Sequence, residues 1–367
     1  MSPHIRALSV EHEVTLIANG SAEYLGDLLG PHVSFKPMPL ERKISLRKDI
    51  FTLFTLWRFF RREQFVCVHS ITPKAGLLSM LAAQLAGIPL RLHTFTGQVW
   101  TTETGWRKWL LKSLDKILAR SATQVLADSF SQRAFLIENG IVQPHDITVL
   151  AQGSIAGVDV NRFQYSDEAR SRIRENYGIP PGGIVFLYLG RLNRFKGVSD
   201  LLRAFELASQ SDGNLHLIIA GPDEENLSAA VDALANCLPG RVHRVEYVNQ
   251  PEQYMSAADV FCLPSYREGF GSVLIEAASI GIPSIASRIY GITDAVEEGK
   301  TGLLHTPGAV REIADAMLLL ASNNDLRRQM GAAARARVIE KFSEPYVTKA
   351  FIEFYRALLS VVGTGNK

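Results

Sequence analysis

Cysteine is scarce in this chain: Cys67, Cys237 and Cys262 are the three in 367 residues, and they lie far apart. No C-x-x-C occurs, so a zinc knuckle or a dithiol redox pair is excluded and a reducing compartment is expected. No uncharged apolar run reaches 18 residues, which speaks against a membrane-spanning helix. The opening MSPHIRALSV lacks an apolar core of signal-peptide length, and low-complexity tracts are missing throughout. These absences predict a soluble, cytoplasmic chain.

What remains is ordinary globular material, 47% hydrophobic and 21% charged, long enough for two domains that each bury a core. The net charge of +2 hides an asymmetry. Residues 1–165 carry 18 Lys and Arg against 13 Asp and Glu, and the remainder carry 21 against 24. Most of the excess sits in residues 36–120, with 15 basic side chains facing 5 acidic ones. Such a patch expects an anionic partner: phosphates, an anionic lipid surface or nucleic acid. Nucleic acid is disfavoured, because neither an aromatic-stacking module nor a recognition-helix pattern is present.

Short apolar runs alternate with helical patterns, the mark of a parallel sheet covered by helices. In the first half strands are predicted at 13–18, 65–70, 90–95, 124–129 and 147–152, with helices at 48–62, 74–86, 105–120 and 130–139. The second half predicts strands at 184–190, 216–221, 242–248, 260–265 and 283–287. Its helices fall near 199–210, 225–236, 252–257, 272–280, 310–321 and 325–341. Residues 153–166 read as a linker. The expected division is 1–160, 161–343 and a last helix, 344–367, packing back toward the first domain.

The best-marked stretch is REGFGSVLIEAASIGIPSIAS, 267–287. A Gly-Phe-Gly turn follows a strand, and Ser272 is placed to cap a short helix that ends at Gly281. That helix is apolar nearly all round except for Glu276. A buried carboxylate needs a specific task or a specific mate. Glu268 lies eight positions earlier, on the loop at the carboxyl end of the strand, the edge where open α/β sheets bind ligands. Two carboxylates framing a glycine turn suit a polyhydroxylated ligand. The bland alternatives are a helix-end carboxylate reaching solvent and a loop charge.

The second stretch is GRLNRFKG, 190–197, between the first strand and first helix of the second half. Arg191, Arg194 and Lys196 between two glycines form a diphosphate cradle; read alone, the run is equally a solvated loop. No Gly-Lys-Ser/Thr follows it, so it is not a P-loop.

GRLNRFKG, then E-G-F-G-x(4)-E about 75 residues later, then GITDAVEEGKTGLL (291–304) resemble the large retaining glycosyltransferase family four, over roughly residues 65–345. The resemblance implies the GT-B fold: α/β, two Rossmann-like domains facing a central cleft, the first acceptor-binding and the second nucleotide-sugar-binding. It implies that Arg191 and Lys196 bind the donor diphosphate and that Glu276 binds the ribose hydroxyls. Glu268, with the amides around Phe270, Gly271 and Ser272, would bind the donor sugar, and His93 would sit near the transferring sugar. Read by itself, His93 is equally a packed strand-end histidine. The catalytic set expected is Glu268, His93, Arg191 and Lys196. D-x-D never occurs, so no cofactor and no metal are expected, and the donor is a nucleotide sugar, UDP-linked.

Residues 65–100 resemble family members that extend lipid-linked bacterial surface polysaccharides, as in O-antigen or capsule, and imply a polyprenyl-diphosphate-linked saccharide as acceptor. Lys74 to Gly76, opening a helix, are a weak candidate for an anionic group. In 105–122, Trp106, Trp109, Leu110, Leu114, Ile117 and Leu118 share one side, flanked by Arg107, Lys108, Lys112 and Lys116. That composition fits an interfacial helix on an anionic leaflet, at the inner face of the cytoplasmic membrane. For 49–63 the same composition is better read as a helix covering the sheet. Against the family pattern, the chain opens without the usual first strand and Gly-rich loop. Two alternatives follow: a catalytically impaired sugar-nucleotide-binding or scaffold protein, and a nucleotide-sugar 2-epimerase on the same fold.

Overall fold

The computed structural model describes residues 2–20, 32–40 and 45–364. Two compact units emerge, one comprising 1–157 with 344–367 and the other 158–343.

The first unit begins with α1 (Ser2–Ser9), β1 (Val14–Ala18), β2 (Val33–Pro37), α2 (Leu46–Glu63) and β3 (Cys67–Ser70). It continues through α3 (Pro73–Leu85), β4 (Leu90–Phe95), α4 (Gly105–Ser121), β5 (Gln124–Ala127), α5 (Phe130–Glu138) and β6 (Ile147–Val149). All pairings are parallel, but they make two sheets: β1 with β2, and β3-β4-β5-β6. Among the described residues no strand pairs with the outer edge of β1 or of β3. Apolar packing joins the two sheets instead. Ile17 and Val68 lie against a cluster of Met38, Leu56, Phe60 and Leu78, and Val14 and Cys67 lie against Leu8, Leu92, Phe351 and Tyr355. The last two belong to the terminal helix, Glu344–Thr364. That helix is tied to the unit by His69 Nδ1 with Tyr355 Oη at 2.8 Å, and by His4 Nδ1 with Thr348 Oγ1 at 2.9 Å.

The second unit follows a doubly wound pattern: α6 (Asp167–Asn176), β7 (Ile184–Leu189), α7 (Val198–Ser209), β8 (Leu215–Ala220), α8 (Ser228–Cys237), β9 (Val242–Val245) and α9 (Pro251–Ala257). Then come β10 (Val260–Leu263), α10 (Ser272–Ile280), β11 (Ser284–Ser287), α11 (Ile292–Ala295), β12 (Gly302–His305), α12 (Val310–Ser322) and α13 (Asn324–Lys341). Its six strands are parallel in the order β12-β11-β10-β7-β8-β9. β7 and β10 are therefore neighbours from which the chain winds in opposite directions. Ligands bind beyond the carboxyl ends of strands at such a switch point. Val185 to Tyr188 and Val260 to Leu263 are fully buried, as strands covered on both faces must be.

Five described elements, α1, β2, α6, α11 and β12, are not among the predicted ones. β2 alternates Val and Phe with exposed Ser34 and Lys36, and β12 is a short edge strand opened by a glycine. Helix α6 is highly charged; Ser166 caps it by accepting from Ala169 N at 3.1 Å. Arg170 and Arg174 fasten it to Asp259 at 2.7 and 2.6 Å.

Candidate active site

The loop after β7 (190–197) and the loop after β10 (264–271) meet at the switch point, and four contacts lock them together. Lys196 Nζ donates to Glu268 Oε1 at 2.5 Å, and Ser265 Oγ donates to the same oxygen at 2.8 Å. Both ends of the ion pair are largely shielded. Tyr266 N donates to Phe195 O at 2.8 Å, and the Phe195 ring lies between the guanidiniums of Arg194 and Arg267, 4.7 and 4.8 Å away. Gly197 has φ +68°, and a Cβ there would stand 2.0 Å from Pro264 O. Only glycine allows that approach. Gly291 plays the same part behind the second loop, where a Cβ would stand 2.1 Å from Gly269 O.

Arg191 sits at the rim, its Nη1 held by Glu224 at 2.8 and 3.1 Å, and Asn193 Nδ2 donates to Glu224 Oε2 at 2.9 Å. Glu224 follows β8 at the same sheet edge, and the run Asp223-Glu224-Glu225 after an apolar strand is its signal in the sequence. Arg194 N donates to Glu225 Oε2 at 2.8 Å. Glu224, Ser265 and Arg267 are not among the expected site residues.

Ser272 was expected to cap α10, but the cap is Gly271, in the left-handed region at φ +77°, and Ser272 is the first helical residue. Gly271 brings no side chain to the first-turn amides, and a helix start of this kind attracts anions. Phe270 turns its ring into the core against Phe342, centroids 5.3 Å apart. Within α10, Glu276 is the one charge among Leu274, Ile275, Ala277 and Ala278, all buried. Burial pushes its carboxyl up to about 7, with Glu252 adding to the rise and Arg162 opposing it. These surroundings disfavour the charged form of the carboxyl. The second unit thus brings Arg191, Lys196, Glu268, Phe270, Gly271, Ser272 and Glu276 to one edge of one sheet.

His93 belongs to the first unit, at the carboxyl end of β4, with 0% of its surface exposed. Its Nδ1 pairs with Ser70 Oγ at 2.8 Å, while its buried Nε2 has no protein partner. Burial pushes the ring down to about 3, with His69 adding to the shift, so it is neutral throughout the physiological range. Gly76 of α3 lies directly over it: a Cβ there would stand 2.6 Å from His93 Cε1. Lys74, expected to be available to an anion, is instead paired with Asp49 at 2.6 Å. Nearby, at the end of β5, Asp128 is buried with Oδ1 unpartnered, and burial pushes its carboxyl up to about 8.

In α4 the expected single stripe divides. Leu118 is buried, Asp115 accepts from Trp100 Nε1 at 2.7 Å, and Lys112 donates to Asn139 Oδ1 at 3.0 Å. Trp106, Trp109, Leu110 and Ile117 are exposed. No helix among the described residues is long and apolar enough to cross a membrane.

Residues 169–337 match the family described as Glycosyl transferases group 1, and residues 5–153 match a Glycosyl transferase 4-like domain. The capsular polysaccharide biosynthesis glycosyltransferase CapM of Staphylococcus aureus is 30% identical over 324 residues, covering 88% of this chain and 84% of that protein. The chain belongs to the group 1 glycosyl transferases. A second relative is the UDP-Gal:alpha-D-GlcNAc-diphosphoundecaprenol alpha-1,3-galactosyltransferase of Escherichia coli, 26% identical over 353 residues, covering 92% of this chain and 89% of that one. The GT-B fold is shared with solved structures. Anabaena HepE in complex with UDP and glucose superposes with a TM-score of 0.80 at 20% identity, covering 97% of this chain and 94% of that one. The glycosyltransferase WaaG gives 0.70 at 16% identity, covering 95% and 93%. For this group 1 glycosyl transferase, neither the scaffold nor the epimerase alternative is favoured by these relatives.

Proposed function

We propose that the protein moves a hexose or N-acetylhexosamine from a UDP-sugar to a polyprenyl-diphosphate-linked saccharide, with retention and without a metal, in surface polysaccharide biosynthesis at the inner face of the cytoplasmic membrane. The observation that carries the donor half is the Lys196–Glu268 pair at the switch point, between the basic loop and the uncapped start of α10. The acceptor half is supported by the diphosphoundecaprenol substrate in the name of the Escherichia coli relative and by the exposed Trp106 and Trp109 beside Arg107 and Lys108.

Arg191 and Lys196 bind the diphosphate and oppose the charge that grows on it as the glycosidic bond breaks, helped by the α10 amides. Fixed positive charge of this kind acts most strongly where reaction charge develops. Arg191 exchanges Glu224 for phosphate oxygens as the donor enters. Glu276 accepts from the ribose hydroxyls, which supply the partners its buried carboxylate lacks. Glu268, with the amides around Phe270, Gly271 and Ser272, orients the sugar. Its Oε1 already accepts from Lys196 and Ser265, which lowers its nucleophilicity and suits a positioning role. His93 is neutral, which rules out the part of an acid, and with no exposed surface its unpartnered Nε2 reaches the sugar only if the segment covering it opens.

The test is incubation of the protein and EDTA with UDP-sugars and a polyprenyl-diphosphate-linked saccharide. Expected are release of UDP and a product whose new linkage keeps the donor's anomeric configuration by NMR. An inverted linkage, or transfer lost in EDTA and restored by a divalent cation, contradicts the mechanism.

A further inference from the structure

The helix expected to do no more than cover the sheet carries a second, outward face. In α2, Thr52, Leu56 and Phe60 are buried, and Leu53 and Trp57 pack beside them. Leu46, Ile50, Phe51 and Phe54 are instead 77%, 66%, 66% and 55% exposed. Leu46, Ile50 and Phe54 recur at i, i+4 and i+8 and so stand in one row, with Phe51 alongside. Soluble surfaces rarely leave four large apolar side chains together without a use. Basic side chains predominate at the row's ends. Arg47 flanks it at the start and Arg58, Arg61 and Arg62 at the end, all exposed. Asp49, the acid of the first turn, pairs with Lys74 at 2.6 Å, and Glu63 stands 3.8 Å from Arg62.

Charge decides between the possible occupants. A second copy docked by a two-fold axis sets this arginine-ended row against itself, and like charges then face each other across an apolar seam. An anionic bilayer reverses the sign: phosphates meet the arginines, and acyl chains take up the convex side chains without needing a matching groove. We infer that the Leu46-Ile50-Phe51-Phe54 face of α2 enters an anionic lipid surface, with Arg47, Arg58, Arg61 and Arg62 on the headgroup phosphates. The inference goes beyond the α4 contact proposed above and stands without it.

Co-sedimentation with vesicles of equal phosphatidylglycerol and phosphatidylcholine, against phosphatidylcholine alone, tests it on the full chain. Ile50→Ser/Phe51→Ser/Phe54→Ser is expected to lower partitioning onto the anionic vesicles at least tenfold, and Arg58→Glu/Arg61→Glu to lower it by roughly fivefold or more for each residue changed. The melting curve and UDP affinity are expected to stay as in the wild type, since these side chains are on the surface. Trp106→Ser/Trp109→Ser tests α4 separately. If only the α4 variant loses binding, the α2 inference is overturned; if only the α2 variants do, it stands and the α4 contact falls. Wild-type protein that ignores anionic vesicles overturns both. A dimer in sedimentation velocity that the triple Ser variant converts to monomer, with vesicle binding unchanged, shows a second copy on this face and overturns the lipid assignment.

Discussion

The two units place polar side chains at the same location, the carboxyl ends of parallel strands, and partner the candidate reacting groups differently, although in the second unit Asn193 Oδ1 after β7 and Ser287 Oγ at the end of β11 are also buried without a partner. In the second unit Lys196, Glu268 and Ser265 satisfy one another beside a helix start, and the loops that carry them are locked by close backbone approaches at Gly197 and Gly291. In the first unit His93 lies under Gly76 of α3 and Asp128 is buried just after β5, each with one buried polar atom unpartnered. Unpaired buried polar atoms are destabilising and persist where something else requires them. The supporting layers differ too. Among the described residues, the second unit has one continuous core beneath a six-stranded sheet, whereas the first has three smaller clusters and two sheets. The first unit also carries the outward apolar faces of α2 and α4.

The sharpest break of that contrast is at Glu268. Glu268→Ala removes the sugar acceptor and leaves Lys196 unpaired; turnover is expected to fall by about 10³ while UDP affinity changes severalfold, read by initial rates and calorimetry. Glu276→Ala comes next, with UDP affinity about 10²-fold weaker through loss of charge-assisted hydrogen bonds to the ribose. Its pH signature has a definite sign. With its carboxyl near 7 in the folded protein against 4.5 when free, Glu276 keeps its proton where the unfolded chain loses it. Its contribution to stability therefore declines between these values and is constant above about 7. Since the ribose prefers the carboxylate, UDP-glucose affinity is expected to rise toward a plateau above that pH, by at most about tenfold per unit. The slope is expected to vanish in Glu276→Gln. The smallest expected effect is in the first unit. Gly76→Ala forces a methyl onto the His93 ring and destabilises the fold by about 1–3 kcal/mol. UDP affinity is expected to hold while turnover falls severalfold, and unchanged turnover in a folded Gly76→Ala protein removes His93 from the reaction.

The donor half was largely legible because its chemistry is local. GRLNRFKG and the E-G-F-G turn each follow a continuous apolar run, and strand, loop and helix lie adjacent in sequence. What pairs with those loops was not legible. Glu224 reaches Arg191 from the next strand, and Ser265 shares the Glu268 oxygen with a lysine 72 positions away. In the first half the resemblance singles out His93, which by itself reads equally as a packed strand-end residue, and Gly76 reads as part of a helix start; that one covers the other depends on how α3 crosses β4. The faces of α2 could not be sorted from composition. It is apolar on most sides, and only packing shows that Leu56 and Phe60 point inward while Ile50 and Phe54 point out.

The most direct measurement is calorimetric titration of UDP into the full chain, wild type beside Glu276→Ala and Arg191→Ala, with melting curves recorded for each. One saturable site per chain, greatly weakened in both variants whose melting is intact, is the result expected of a donor pocket at the β7–β10 switch point. Failure of the folded wild-type protein to bind UDP, or equal binding by all three, contradicts that assignment.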